Sequence, residues 1–130
     1  QLSLFMFDID FFKHVNDRYG HAAGDSVIQD FGRLLKEHFH SECLVARLGG
    51  EEFAVMLSGR TDEQVRQALY AFLEKVRGHV FHYREQKIRL TVSAGGTKKK
   101  PDQTLESLMR NADKALYESK AQGRDRVTML

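Results

Sequence analysis

One cysteine and one proline occur in 130 residues. A lone Cys43 excludes an internal disulfide framework and a cysteine-based zinc site, and it fits a reducing compartment. No apolar run reaches membrane-spanning length, and the first residues carry no signal-peptide pattern. An excess of one charge is also missing: 20 basic against 18 acidic residues leave a formal net charge of +2. That balance excludes a global attraction to nucleic acid or to a membrane surface, so any basic patch is local. Internal repeats and low-complexity linkers are absent too. What is present, 42% hydrophobic and 29% charged residues, argues against disorder and fits one domain with its own core. The opening residues already read as a strand, so the chain is expected to be cut from a longer protein, as a cytoplasmic domain of it.

The stretch Arg47-Leu48-Gly49-Gly50-Glu51-Glu52-Phe53-Ala54-Val55 organises the rest. Cys43 to Ala46 upstream and Phe53 to Leu57 downstream are short and rich in β-formers, and the Gly-Gly connection predicts a β-hairpin. Glycine accepts positive φ and lets another molecule approach the backbone. Two adjacent acids at the tip of a hairpin with buried arms repel each other unless a cation answers them. Two readings stand at this level: a site for a hard divalent cation, or a solvated acidic turn.

Leu2 to Phe7 predicts a central strand buried on both faces, running into Asp8-Ile9-Asp10. Phe11 to Tyr19 predicts a short helix closed by Gly20. Asp25 and Ser26 are expected near the start of a longer helix with Val27, Ile28, Phe31, Leu34, Leu35 and Phe39 on one face. Thr61 is expected to cap a third helix, ended by Gly78, that buries Val65, Ala68, Leu69, Phe72, Leu73 and Val76. Val80 to Tyr83 predicts a weak strand. Ile88, Leu90, Val92 and Ala94 alternate with Arg89, Thr91 and Ser93, a half-buried strand pattern. Gly95 to Gln103 reads as a loop holding Pro101 and a solvated Lys98-Lys99-Lys100 run. Thr104 caps a last helix, Gly123 stops it, and Val127 to Leu130 closes the sheet. The order β-α-α-β-β-α-β-α-β predicts an α+β fold of the ferredoxin-like kind. If the first strand pairs antiparallel with the second arm of the hairpin, Asp8 and Glu51 meet at one edge of the sheet.

Carboxylates from two strand ends plus the Ile9 carbonyl suit Mg²⁺ or Mn²⁺, and two such ions could activate a hydroxyl and neutralise a leaving phosphate. The alternative is that Asp8 and Asp10 cap the next helical segment. Lys13, Lys120 and Arg124 offer cations to phosphate, or, for the last two, answer a helix dipole. Asn16 and Asp25 present the donors and acceptors that read a guanine, or are a turn residue and a helix N-terminal residue. His21 fits a ligand contact or a structural hydrogen bond.

Together these segments resemble the GGDEF family of diguanylate cyclases. Three blocks match in order: Asp8-Ile9-Asp10-Phe11-Phe12-Lys13-His14-Val15-Asn16-Asp17 through Gly20-His21 and Gly24-Asp25; Gly49-Gly50-Glu51-Glu52-Phe53; and Ala112-Asp113-Lys114-Ala115-Leu116-Tyr117 to Lys120, Gly123 and Arg124. The resemblance implies a nucleotide-cyclase-like sheet of about five strands flanked by helices. It implies condensation of two GTP into cyclic di-GMP and two pyrophosphates, in a homodimer whose sites face each other. Residue by residue, it implies that Asp8, the Ile9 carbonyl and Glu51 hold two Mg²⁺ or Mn²⁺. Glu51 would serve as general base, Glu52 would assist, and Lys13 would stabilise charge on the phosphates. Lys120 and Arg124 fall at further phosphate contacts. Asn16, His21 and Asp25 fall at guanosine positions, Phe11 and Phe12 join the substrate-binding set, and Gly49 and Gly50 lie close to the nucleotide.

Two departures from the family pattern matter. Where many members carry an Arg-x-x-Asp product-inhibition motif, this chain has His40-Ser41-Glu42-Cys43, so no inhibitory product site built on that motif is expected. Arg110 and Asp113 share the spacing but fall on the last helix. A helix and turn that usually precede the first strand are missing, so an upstream sensory or dimerising domain is expected and the fragment should turn over slowly alone. A non-catalytic GTP-binding module is the alternative. Such relatives usually lose motif acids or glycines, which this chain keeps. A purely structural domain would leave the clustered acids unexplained, and a cyclase with another product shares the fold.

Overall fold

The apolar run at the start of the chain forms the axis of the fold, in a computed structural model that describes residues 1–40 and 43–130. In chain order the elements are β1 (Leu2–Ile9), α1 (Phe12–Tyr19), α2 (His21–His38), β2 (Cys43–Gly49), β3 (Glu52–Ser58), α3 (Asp62–Gly78), β4 (Phe81–Tyr83), β5 (Gln86–Ile88), β6 (Val92–Lys98), α4 (Leu105–Ala121) and β7 (Val127–Met129). Five strands make one mixed sheet in the order β2-β3-β1-β6-β7, and β4 pairs with β5 apart from it. β1 is central, and both faces of it are covered. Phe5, Phe7 and Ile9 enter a core built with Phe31 and Leu35 of α2 and Leu69 and Phe72 of α3. Leu4 and Met6 point the other way, into a smaller core with Leu108, Ala112 and Leu116 of α4. The expected α+β sheet with helices on its faces is what forms.

Helix starts follow local chemistry. Thr61 and Gln64 form a reciprocal capping box at α3, and the Thr104 hydroxyl accepts from the Ser107 amide at α4. α2 begins at His21, ahead of the expected Asp25, because Gly20 (φ 93°) lets α1 end and α2 start without a linker. β1 pairs antiparallel with β3, placing Asp8 opposite Glu52. None of the helices of the described residues is long and apolar enough to cross a membrane.

Three expectations need correction. The strand read over Ile88 to Ala94 is two elements: Ile88 ends β5, and β6 begins at Val92. The burial alternation persists through Ile88, Leu90 and Val92, which is why the pattern looked continuous, but the backbone changes partner. Gly95 and Gly96, read as the start of a loop, lie inside β6. They are required there by close approach: a β-carbon on Gly95 would sit 2.0 Å from the Leu116 amide nitrogen, and one on Gly96 would sit 2.2 Å from the Leu4 carbonyl oxygen. Third, the upstream hairpin arm is not buried. β2 is an edge strand, with Leu44 62% and Leu48 45% exposed.

The glycine contact makes a stability prediction. Gly95→Ala forces the α4 backbone off the sheet and should lower unfolding free energy by about 2 kcal/mol or more. Gly32→Ala, whose methyl would meet only the Phe53 ring at 3.4 Å, should be neutral or gain up to about 1 kcal/mol from helix propensity. Urea unfolding of both variants checks this; equal losses would refute the close-approach explanation.

Candidate active site at the end of β1

Three elements converge where β1 ends. β1 delivers Asp8 and the Ile9 backbone. The β2–β3 hairpin delivers Glu51, and the Ile9 amide donates to the Glu51 carbonyl oxygen at 3.4 Å. The turn is bent by a bulge between Arg47 and Gly49, and Gly49 (φ 146°) and Gly50 (φ 52°) take up the positive φ angles. Arg47 Nε donates to the Gly50 carbonyl oxygen at 3.0 Å and holds the tip. The last turn of α4 delivers Lys120, whose Nζ lies 2.5 Å from Asp8 Oδ2.

Asp8 is only 5% exposed. Burial pushes its carboxyl above the ordinary value; the Lys120 hydrogen bond and charge pull it down, and Glu51 and Glu52 add to the rise. A desolvated carboxylate beside two further acids holds negative charge that one half-exposed lysine only partly answers. Among the described residues no group of three or more His, Cys, Asp or Glu is arranged to hold a metal ion. Two carboxylates, Asp8 and Glu51, and the Ile9 backbone line one cavity instead. That fits a hard divalent cation completing its shell with water and phosphate oxygens, the usual habit of Mg²⁺.

Asp8, Ile9, Phe11, Phe12, Lys13, Glu51, Lys120 and Arg124 line one cavity of about 240 Å³. Lys13 is almost wholly exposed, 3.7 Å from Asp17, and can swing towards a ligand. Arg124 lies over the Phe11 ring at 4.6 Å, and Phe11 stacks on His14 at 5.4 Å. The remaining candidates sit outside that lining. Asn16 packs against Gly24, where a β-carbon would meet its Oδ1 at 1.9 Å, so its amide lies beside the turn that carries exposed Asp25. His21 is exposed at the start of α2, and Glu52 is exposed at the start of β3. Larger space, about 500 Å³, lies between α2 and β2 over Ile28, Val45 and Phe53, but it gathers no carboxylate pair; the chemistry is at the smaller cavity.

Asp10 contradicts the capping alternative. Phe11, not an acid, occupies the N-cap of α1, and it makes no side-chain cap bond. The Asp10 carboxylate instead accepts from Thr91 Oγ1 and Ser93 Oγ, both at 2.6 Å, and from the Asp125 amide at 3.0 Å. The sequence signal for this was the polar pair Thr91 and Ser93, read as solvent-facing although Ser93 is fully buried. Arg47 heads the hairpin stretch in the sequence, but its bond to the Gly50 carbonyl oxygen is visible only in the structure; the signal is its place beside the hairpin glycines.

The family model for the GGDEF domain of diguanylate cyclases matches residues 1–126. Diguanylate cyclase A of Treponema denticola is 43% identical over 133 residues, covering 98% of this chain and 35% of that protein. Diguanylate cyclase DgcZ of Escherichia coli is 37% identical over 129 residues, covering 99% of this chain and 44% of that protein. The chain thus spans less than half the length of these relatives. Among solved structures, the GGDEF domain of DgcB from Caulobacter crescentus in complex with c-di-GMP superposes with a TM-score of 0.93 at 35% identity, covering 98% of this chain and 77% of that one. Diguanylate cyclase SiaD of Pseudomonas aeruginosa, in complex with its activator SiaC, gives 0.94 at 31% identity over 99% and 50%.

The Asp8 environment makes a linkage prediction. Because its folded pKa is raised, the folded state holds the Asp8 proton more tightly than the unfolded chain. Stability therefore falls as pH rises from the ordinary value of 3.8 through the raised one, and the deficit persists at neutral pH. Asp8→Asn should raise the melting temperature at pH 7, with the gain shrinking below the ordinary value. Mg²⁺ should raise the melting temperature of the wild type and not of Asp8→Asn. Thermal melts with and without Mg²⁺ at both pH values decide; a Mg²⁺ effect that survives in Asp8→Asn would remove Asp8 from the cation site.

Proposed function

This chain belongs to the GGDEF family, and we propose that it is a diguanylate cyclase domain that condenses two GTP into cyclic di-GMP with release of two pyrophosphates. The observation that carries this is the convergence of Asp8 and Glu51 with Lys13, Lys120 and Arg124 around one cavity at the end of β1. Phosphoryl transfer is mostly positioning and charge neutralisation, and those are the groups gathered there. The c-di-GMP bound to the related DgcB domain supports the product.

Asp8, the Ile9 carbonyl and Glu51 would hold Mg²⁺ or Mn²⁺, two per site, supplying Lewis-acid charge at the phosphates when bound. Glu51, half-buried on a turn fixed by Gly49, Gly50 and the Arg47 bond, takes the proton of the 3′-hydroxyl, with Glu52 assisting. Lys13, Lys120 and Arg124 meet charge developing on the triphosphate. Asn16, His21 and Asp25 face the guanosine, with Phe11 and Phe12 beside it. A domain holding one GTP presents one nucleophile and one α-phosphorus, so two domains must face each other about a two-fold axis. Each 3′-oxygen then bonds to the opposite α-phosphorus as pyrophosphate leaves. An upstream cytoplasmic module, sensory or dimerising, would supply that pairing.

The test is incubation of the domain, dimerised through an added coiled coil, with GTP and Mg²⁺ or Mn²⁺, followed by separation of the nucleotides. Cyclic di-GMP is expected, and Glu51→Gln should lower its rate about 10³-fold while the fold persists. GTP binding without product would leave a regulatory GTP module; no binding would sink both readings. Product control is a further expectation. Ser41 and Glu42, in the segment that replaces the Arg-x-x-Asp motif, lie outside the described residues. Cyclic di-GMP titrated into the turnover assay should not inhibit potently and non-competitively; such inhibition would contradict the absence of that site.

A further inference from the structure

Asp10 is buried, two residues past Asp8, and although it lines the same cavity its carboxylate is taken up by hydrogen bonds within the fold. It accepts from three groups on two other segments: Thr91 just before β6 and Ser93 within it, and the Asp125 amide beyond α4. Asp125 is grasped from its other side as well. Arg77 of α3 donates from Nε to both of its carboxylate oxygens at 2.9 Å and from Nη2 to its carbonyl oxygen at 3.3 Å. Between these anchors Arg124 and Asp125 both adopt left-handed backbone, φ 65° and 51°. Two consecutive non-glycine residues in that region do not stay there unless their surroundings hold them. The side chain of Arg124 then reaches back over Phe11, the residue that follows Asp10. Neighbours 10 and 11 thus grip neighbours 125 and 124, one by hydrogen bond and one by cation–π contact.

We propose that Asp10, backed by Arg77, is a positioning residue that fixes the Arg124–Asp125 turn so that the Arg124 guanidinium stands on the rim of the nucleotide cavity; the consequence for substrate rests on the GTP-binding reading above. The hydrogen bond to the Asp125 amide is the operative link. A side chain that keeps an acceptor there keeps Arg124 in place; one that removes it leaves the turn to Arg77 and to the Arg124 amide's bond with the Ser119 carbonyl oxygen, and loosens it. Asparagine retains an acceptor, because the Ser93 hydroxyl can rotate to accept from its amide. Alanine retains none.

Two readouts test this. The first needs no ligand: the Arg124 side-chain protons over the Phe11 ring should be ring-current shifted upfield in NMR spectra of the wild type and of Asp10→Asn, and unshifted in Asp10→Ala. The second is GTP affinity in the presence of Ca²⁺ in place of Mg²⁺, measured by calorimetry. Asp10→Ala and Arg124→Ala should each weaken binding about tenfold. The double variant should be no weaker than Arg124→Ala, and Asp10→Asn should bind like the wild type. A merely structural Asp10 would lower the melting temperature while leaving the Arg124 shift and the affinity unchanged, or would combine with Arg124→Ala multiplicatively, to about a hundredfold; either outcome overturns the proposal. If the wild type shows no affinity for GTP, the proposed function fails, and the NMR comparison still decides the link between Asp10 and Arg124. Should Asp10→Ala not fold, Arg77→Ala loosens the same turn from the opposite side and must lose the Arg124 shift; retention of the shift overturns the proposal.

Discussion

The antiparallel pairing of β1 with β3 is the constraint on which the rest depends. It turns two acids 43 positions apart in sequence, at 8 and 51, into neighbours at one end of a sheet. The register Asp8 opposite Glu52 and the Ile9 amide to the Glu51 carbonyl oxygen allow no slip, because a one-residue shift would reverse every side chain of a strand buried on both faces. The phenylalanines of β1 enforce the register: Phe7 meets the Phe72 ring of α3 edge-on at 5.6 Å. Packing deep in the core therefore sets geometry at the rim, where the chemistry is.

The rim itself violates local rules that the interior obeys. Asp8 is a buried carboxylate, Phe11 is an aromatic residue in left-handed backbone, and Arg124 and Asp125 are two more left-handed residues. Each is unfavourable alone, and they lie within one cluster. Concentration of desolvated charge and backbone strain in one place is what a binding site held against its own preferences looks like. The compensation comes from outside the cavity: the hydroxyls of Thr91 and Ser93, Arg77 of α3 and the close seat of α4 on Gly95 hold the cluster together.

Much of the fold was legible because its signals are local. The apolar run of β1, the helical periodicities of α2, α3 and α4, the caps Thr61 and Thr104, and the Gly-Gly hairpin are each read within a few residues. What escaped depends on partners far along the chain. Gly95 and Gly96 look like a turn until α4 and β1 pack so close that a β-carbon on either would clash with them. β2 looks buried until the strand order places it at the edge. The β4–β5 hairpin hides inside an alternation that tracks burial and not backbone pairing. At the candidate site, Asp8, Glu51 and Lys120 were legible as residue types in a family pattern, and they do come together around one cavity. The grip of Asp10 on Asp125, across 115 positions, was not, since nothing near either residue names the other.

The most direct measurement is the position of Mn²⁺, located by its anomalous scattering in crystals of the domain grown with a non-hydrolysable GTP analogue. A peak within about 2 Å of carboxylate oxygens of both Asp8 and Glu51, and of a phosphate oxygen of the analogue, is the expected result. A metal bound to the nucleotide but not to these two side chains, or a nucleotide seated away from the end of β1, would contradict the shared-cation site.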